Sequence, residues 1–314
     1  MSPADTVIRA HHLQKMYGRH LAVDDVDLTV ERGSIFGLVG PNGAGKTTIL
    51  RMLVDVIRPT GGQLTVLGEV PRQSRPRLRQ RIGYLPGELR LNTRATGKAL
   101  LNQLAGMSGP VDEAFVAELT ERLDLDLSRP VRTLSKGNRQ KIGLVQAFMH
   151  RPELLILDEP TSGLDPLMQR EFRALVHEAQ AGGQTVLLSS HILSEIQHTA
   201  DEVAVLAGGR IVAHDDVSAL RLASVSHLRA MLAGALVDDT LPHFAGLPEL
   251  SDVEVTAAPG DAVRLTARVR GDVDSVIKAL ARYRVLALSL EEPDLEESIL
   301  NLYSTTSPEV TDNG

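Results

Sequence analysis

The chain has 314 residues, 43% of them apolar, no cysteine, and a formal net charge of −7. That length points to one large domain plus a smaller one, and the lack of cysteine excludes a disulfide framework or a thiolate metal site. No apolar run approaches the roughly 18 to 20 residues that span a bilayer, and the opening MSPADTVIRA lacks an apolar leader region. The chain is therefore expected in the cytosol, with any membrane role exerted through a partner.

Charge is unevenly distributed. Residues from Arg221 onward hold 8 of the 33 Lys and Arg and 15 of the 40 Asp and Glu, a net of −7, which leaves the first 220 residues neutral. The shift predicts a boundary near 220, and a neutral-to-acidic surface argues against general nucleic-acid binding. Arg72, Arg75, Arg77, Arg79 and Arg81 are the local exception and read as a solvated, salt-bridged face.

In chain order, the first strong signal follows the apolar SIFGLVG. Gly40 to Thr47, GPNGAGKT, fit the phosphate-binding loop, between a predicted strand at 35–39 and a predicted helix at 48–57. Gly40, Gly43 and Gly45 permit turns that aim backbone N–H groups inward, and the helix N-terminus adds partial positive charge. Lys46 can then reach the β- and γ-phosphates of a nucleotide, and the Thr47 hydroxyl can ligate Mg²⁺.

Residues from about 89 to 151 are helix-patterned, with apolar positions in KALLNQLAGM and AFVAELTERL spaced by three and four. LSKGNRQK, residues 134–141, heads a predicted helix at 136–150. LLILDEP then reads as a buried parallel strand that delivers Asp158 to the sheet edge. Asp158 would hold Mg²⁺ through water, and Glu159, diverging from it, is the candidate general base for an attacking water. TVLLSS is a further apolar strand, and His191 follows it. Beyond 220, VEVTAA, AVRLTARV and VLALSL read as strands, and VDSVIKALARY and LEESILNLY as two helices. The other nine histidines, His11 and His12 included, show no metal-ligand spacing. There is no second phosphate loop.

Together GPNGAGKT, LSKGNRQK, LLILDEP, SGLD (Ser162 to Asp165) and SSHIL resemble the motif series of ATP-binding cassette (ABC) transporter ATPases, in that family's order, over roughly residues 6–220. The resemblance implies an α/β fold: a P-loop NTPase ABC cassette with a mixed sheet core and a helical subdomain at about 89–151. A small C-terminal α/β domain at 221–303 and a polar tail at 304–314, expected to be disordered, complete the predicted organisation. EEPDLEESILNLY is similar to the C-terminal extension of the daunorubicin-exporter type.

Several roles are implied by the resemblance alone. Two cassettes would form a head-to-tail homodimer that sandwiches two ATP molecules. Gly40, Pro41, Asn42, Gly43, Ala44, Gly45, Lys46, Thr47 and Thr48 would bind ATP, with Mg²⁺ held by Thr47 and Asp158, while Ser135 and Gly137 would face the γ-phosphate bound by the other chain. Tyr17 matches the aromatic that stacks on adenine, and His191 the histidine that contacts the γ-phosphate and the attacking water.

There are departures as well. Lys136 and Asn138 differ from the usual LSGGQ, and Gly87 followed by Glu88 stands where the family commonly has Gln, so Mg²⁺ ligation by that loop stays open. The implied function is the ATPase subunit of an exporter of drugs or other hydrophobic compounds. It would act at the cytoplasmic face of the cell membrane through separate transmembrane permease subunits, with no nucleic-acid partner. The alternatives are an importer or lipid-exporting ATPase, or a soluble ABC protein acting on ribosomes or DNA. The last class usually carries tandem cassettes or a long coiled-coil insertion, and neither is present here.

Overall fold

The computed structural model describes residues 5–73, 76–89, 93–217 and 225–291, and the chain divides between His214 and Asp215 into two compact units. Each unit has its own hydrophobic core, one built around residues such as Phe36, Leu50 and Leu187, the other around Phe244 and Leu265.

The first unit opens with an antiparallel hairpin of β1 (Thr6–Tyr17) and β2 (His20–Glu31). Along β2 the pleat alternates, with Val26, Leu28 and Val30 buried and Asp25 and Asp27 exposed. Strand β1 breaks this rule. Ala10 pairs with Leu28 and Leu13 with Val26, so His11 and His12 together oppose Asp27, as in a β-bulge.

The central sheet has the order β5-β6-β7-β3-β8-β9 and contains β3 (Ile35–Val39), β5 (Ile82–Leu85), β6 (Leu154–Asp158), β7 (Thr185–Ser190), β8 (Glu202–Ala207) and β9 (Arg210–Asp216). The pairings β5–β6, β6–β7, β7–β3 and β3–β8 are parallel. Strands β3 and β6 are buried along their whole length, which explains the unbroken apolar runs that end at Val39 and at Leu157. A further strand, β4 (Gly61–Val66), extends the hairpin on the other side of β1 to give the order β2-β1-β4.

Helix α1 (Lys46–Leu53) starts and stops earlier than the predicted 48–57. Its N-cap, Gly45, is left-handed at φ 110, which lets the helix begin at once, and Asp55 at φ 55 ends it ahead of Pro59. Helix α2 (Pro76–Gln80) carries Arg77 and Arg79. Arg79 pairs with Asp55 at 3.4 Å, and Arg81 with Glu153 and Glu69 at 2.6 and 3.2 Å, on the face read as salt-bridged. Arg75 lies outside the described residues.

Helices α3 (Gly97–Ser108), α4 (Glu113–Arg122) and α5 (Lys136–Phe148) occupy the helix-patterned segment. Thr96, Asp112 and Ser135 cap them by accepting hydrogen bonds from first-turn N–H groups. Asp165 caps α6 (Pro166–Ala181), which has proline at its first position, and α7 (Leu193–Gln197) follows β7. Arg122 ties α4 to α6 through Glu171 at 2.6 Å and a fork onto Glu178 at 2.6 and 2.8 Å.

The second unit is an antiparallel sheet, order β11-β12-β10-β13, made of β10 (Val225–Ala233), β11 (Leu250–Ala258), β12 (Ala262–Arg270) and β13 (Arg284–Glu291), with helices α8 (Val237–Ala245) and α9 (Asp274–Leu280). Strands β11, β12 and β13 and helix α9 fall on predicted segments. Strand β10 and helix α8 were not anticipated, and Pro242 inside α8 reads locally as a breaker, although fully buried Phe244 anchors the helix. The predicted helix LEESILNLY and the tail from 304 lie outside the described residues.

Candidate active site

The C-terminal ends of three neighbouring strands build the site. Strand β3 ends at Val39 beside Ser190 of β7, and β6 ends at Asp158 beside Ser189. Gly40, Glu159 and His191 therefore emerge side by side, at the edge where open parallel sheets hold ligands.

The loop after β3 admits no side chain at two of its glycines. A Cβ at Gly40 would stand 2.2 Å from the Leu206 carbonyl oxygen, and one at Gly45 2.6 Å from that of Ala22. Pro41 O accepts from Ala44 N–H at 3.2 Å, closing the turn that contains Asn42 and Gly43. Lys46, only 4% exposed, donates from Nζ to Gly40 O at 2.5 Å and Pro41 O at 3.3 Å, and stands 3.3 Å from Glu159 Oε1. Thr47 and Thr48 follow in the first turn of α1.

Asp158 is fully buried. Its Oδ1 accepts from Ser189 Oγ at 2.7 Å, whereas Oδ2 has no hydrogen-bond partner. A buried carboxylate oxygen left in that state is costly unless a cation meets it. Together with a hydroxyl from Thr47 in the first turn of α1, the donor set would be all oxygen, which suits a hard ion such as Mg²⁺. A Cβ at Gly87 would lie 3.0 Å from the same Oδ2, so position 87 faces this carboxylate, while the Glu88 residue is exposed.

Glu159 has φ 49, a left-handed conformation that a non-glycine residue holds only when its surroundings impose it. Its N–H donates to Ser189 Oγ at 3.1 Å, and its carbonyl accepts from Gln140 Nε2 at 3.2 Å. The turn swings the side chain away from Asp158, so that Oε2 lies 2.7 Å from His191 Nδ1. A carboxylate only accepts, so Nδ1 carries the proton of that bond. Behind the histidine, Glu195 on α7 accepts from Ser190 Oγ at 2.6 Å and Thr161 Oγ1 at 2.9 Å, linking the loops after β6 and β7. On β5, burial and then the Asp158 charge push the Tyr84 phenol above its ordinary range and keep it neutral.

The sequence-designated residues thus fall into three groups. Lys46, Asp158, Glu159 and His191 are brought together with the Gly40–Thr48 loop. Tyr17, 46% exposed, pairs with His20 at the hairpin turn, with Lys15 Nζ 5.0 Å from its ring centre. Ser135 and Gly137 form the third group. Ser135 is exposed, and only Gly163 backbone atoms lie within 4 Å of a Cβ built at Gly137, while Lys136 Nζ donates to Ser162 Oγ at 2.9 Å.

Gln140 and Glu195 stand inside or just after the quoted motifs, but the sequence does not single them out: Gln140 lies between Arg139 and Lys141, and Glu195 beside Ser194 and close to Gln197. His11 and His12, which the sequence gives no ligand spacing, lie with Asp27 so that one ligand atom of each falls within 4.8 Å of the others, because the bulge in β1 overrides strand alternation.

Residues 23–162 match the ABC transporter family. The bacitracin transport ATP-binding protein BcrA of Bacillus licheniformis is 39% identical over 213 residues, 66% of this chain and 69% of that protein. The daunorubicin resistance ATP-binding protein DrrA3 of Streptomyces coeruleorubidus is 34% identical over 312 residues, 95% and 96% of the two chains. A solved ATP-binding subunit of an ABC transporter superposes with TM-score 0.64 at 30% identity, over 69% of this chain and 92% of that one. The dimeric bacterial cassette MJ0796 shares the fold, with TM-score 0.60 at 20% identity over 67% and 98%. With the phosphate loop, buried aspartate, strained glutamate and histidine converging at one sheet edge, and with relatives matched over this length, the chain belongs to the ABC transporter ATP-binding proteins, cassettes that bind and hydrolyse ATP.

Proposed function

We propose that this chain is the ATP-hydrolysing subunit of an exporter of drugs or other hydrophobic compounds, working as a head-to-tail homodimer on separate membrane-spanning permease subunits. The observation that carries the hydrolytic part is Glu159, held between Lys46 and His191 by a backbone turned away from Asp158. The export part is supported by the drug-resistance relative, matched along nearly the whole of both chains. No helix among the described residues is long and apolar enough to cross a membrane. In this reading the permease is a separate chain that holds the cassette at the cytoplasmic face.

The chain's own groups divide the work. Gly40 to Thr48 wrap the phosphates with backbone N–H groups, Lys46 turns its ammonium from Glu159 to the β- and γ-oxygens, and Tyr17 offers an exposed ring to adenine. Thr47 and Asp158 would hold Mg²⁺, which when bound would offset the charge of the phosphates. Glu159, released by Lys46, accepts a proton from water as the water oxygen bonds to the γ-phosphorus. The bond from that phosphorus to the bridging oxygen breaks, and its electron pair leaves with ADP. His191 Nδ1–H fixes Oε2 throughout, and the turn carrying Ser135 and Gly137 of the second copy closes the site.

Co-purification of the full chain from membranes tests the assignment. Recovery of a multi-span permease is the expected result, and recovery of ribosomes in its place would overturn the transport reading.

A further inference from the structure

Strand β1 places two consecutive histidines on one side of its sheet. In a regular strand, neighbouring side chains face opposite ways. Here His11 and His12 jointly oppose Asp27, and His12 sits at φ 48, so Ala10 and Leu13 stay buried while both imidazoles face solvent. Their ring centres are 4.0 Å apart. A second bulge faces the first: Leu13 pairs with Val26 and Lys15 with Val23, which leaves Asp24 and Asp25 opposite Gln14, with Asp25 at φ 54.

The two bulges gather donors. His11 Nδ1 lies 2.8 Å from Asp27 Oδ1, the same oxygen accepts from the His12 N–H at 2.9 Å, and His12 Nδ1 lies 2.6 Å from Asp25 Oδ1. One ligand atom each from His11, His12 and Asp27 fall within 4.8 Å of one another. We propose that His11, His12 and Asp27 form a binding site for a divalent transition-metal ion such as Zn²⁺, made of none of the residues assigned to ATP, with Asp25 orienting His12.

Chemistry favours this class of ion. Two imidazole nitrogens and a carboxylate are the donor set of three-ligand zinc sites, where water completes the tetrahedron, and imidazole selects Zn²⁺, Cu²⁺ or Ni²⁺ over Mg²⁺. A carboxylate on the remaining side of a liganding histidine is the usual orienting contact. Exposed His–Asp pairs by themselves contribute little stability, and so do not account for two opposed bulges. A bound ion would bridge β1 and β2, the hairpin whose turn carries Tyr17.

Titration of the nucleotide-free full chain with Zn²⁺ against a chromogenic chelator, in excess Mg²⁺ to occupy oxygen-only sites, tests the inference. The wild-type chain should hold one equivalent that the His11→Ala/His12→Ala chain lacks. Asp27→Asn, which removes a ligand, should weaken it by more than the roughly 10- to 100-fold that losing an outer-shell partner costs. Because all three side chains are exposed, circular dichroism and ATP affinity should match wild type. Zn²⁺ should raise the Tm of wild type and not that of the double variant. Equal stoichiometry and affinity in the double variant, or loss of the equivalent in His191→Ala, would overturn the site.

Discussion

The Gln140 side-chain amide, 3% exposed near the start of α5, donates to Glu159 O and to Pro160 O, each at 3.2 Å. The helix headed by LSKGNRQK thus grips the left-handed peptide that aims the glutamate. Gln140→Leu would strip the buried Pro160 carbonyl of this hydrogen bond, at about 1–3 kcal/mol before relaxation, while Glu159 O keeps the Ser162 N–H at 3.1 Å. As a positioning residue it should affect kcat by roughly 10-fold and spare nucleotide affinity. Steady-state ATPase assays beside fluorescent-nucleotide titration separate the two, and an unchanged kcat would remove Gln140 from this role.

Glu159→Gln keeps the shape of the side chain and its contact distance to His191 while removing the base. ATP should bind as in wild type, turnover should fall by about 10²-fold or more, and an ATP-bound dimer should accumulate in size-exclusion chromatography. Near-normal hydrolysis would assign proton acceptance to another group.

Exposed Ser135 and the head-to-tail arrangement give a mixing test. Ser135→Arg should spare ATP binding to the monomer but abolish dimerisation and hydrolysis, and Lys46→Ala should weaken ATP binding itself. Each pure variant is then inactive. A mixture assembles one site carrying both lesions and one carrying neither, so up to about one site's worth of activity should return. If a single chain built the whole site, no mixing ratio would restore it.

Gly87 faces the unpartnered Oδ2 of Asp158, and a Cβ there would stand 3.0 Å from it. Gly87→Ala must displace the carboxylate or its own loop. The expected effect is a several-fold rise in the Mg²⁺ concentration for half-maximal turnover, with nucleotide affinity nearly unchanged. Identical Mg²⁺ curves would show that the carboxylate tolerates the methyl group.

Acid stability should depend on Arg81. Its guanidinium, hydrogen-bonded to Glu153, holds that carboxyl below its ordinary value of 4.5, with Arg32 adding to the effect. A lowered folded value means the stabilisation is fully present above the unfolded value and is lost as pH falls through the folded one. Glu153 is 43% exposed, so solvent screening limits the pair to about 0.2–1 kcal/mol. Arg81→Ala should cost that much near pH 7 and show a smaller urea-midpoint loss on acidification to about pH 3. An acid limb parallel to wild type would contradict the coupling.

How much of this was legible follows from how local each feature is. GPNGAGKT, LLILDE and the strand before His191 were readable because they are continuous local patterns: glycine where the loop turns left-handed, at Gly43 (φ 84) and Gly45 (φ 110), and apolar runs where β3 and β6 are buried along their length. The helix around Pro242, anchored by Phe244 against Tyr283, and the grip of Gln140 on Glu159 were decided by partners farther along the chain, through contacts no local propensity encodes. His11 and His12 make the division plainest. Sequence alone places adjacent strand residues on opposite faces, and only the pairing of β1 with β2, which leaves two residues against one, turns both imidazoles toward Asp27.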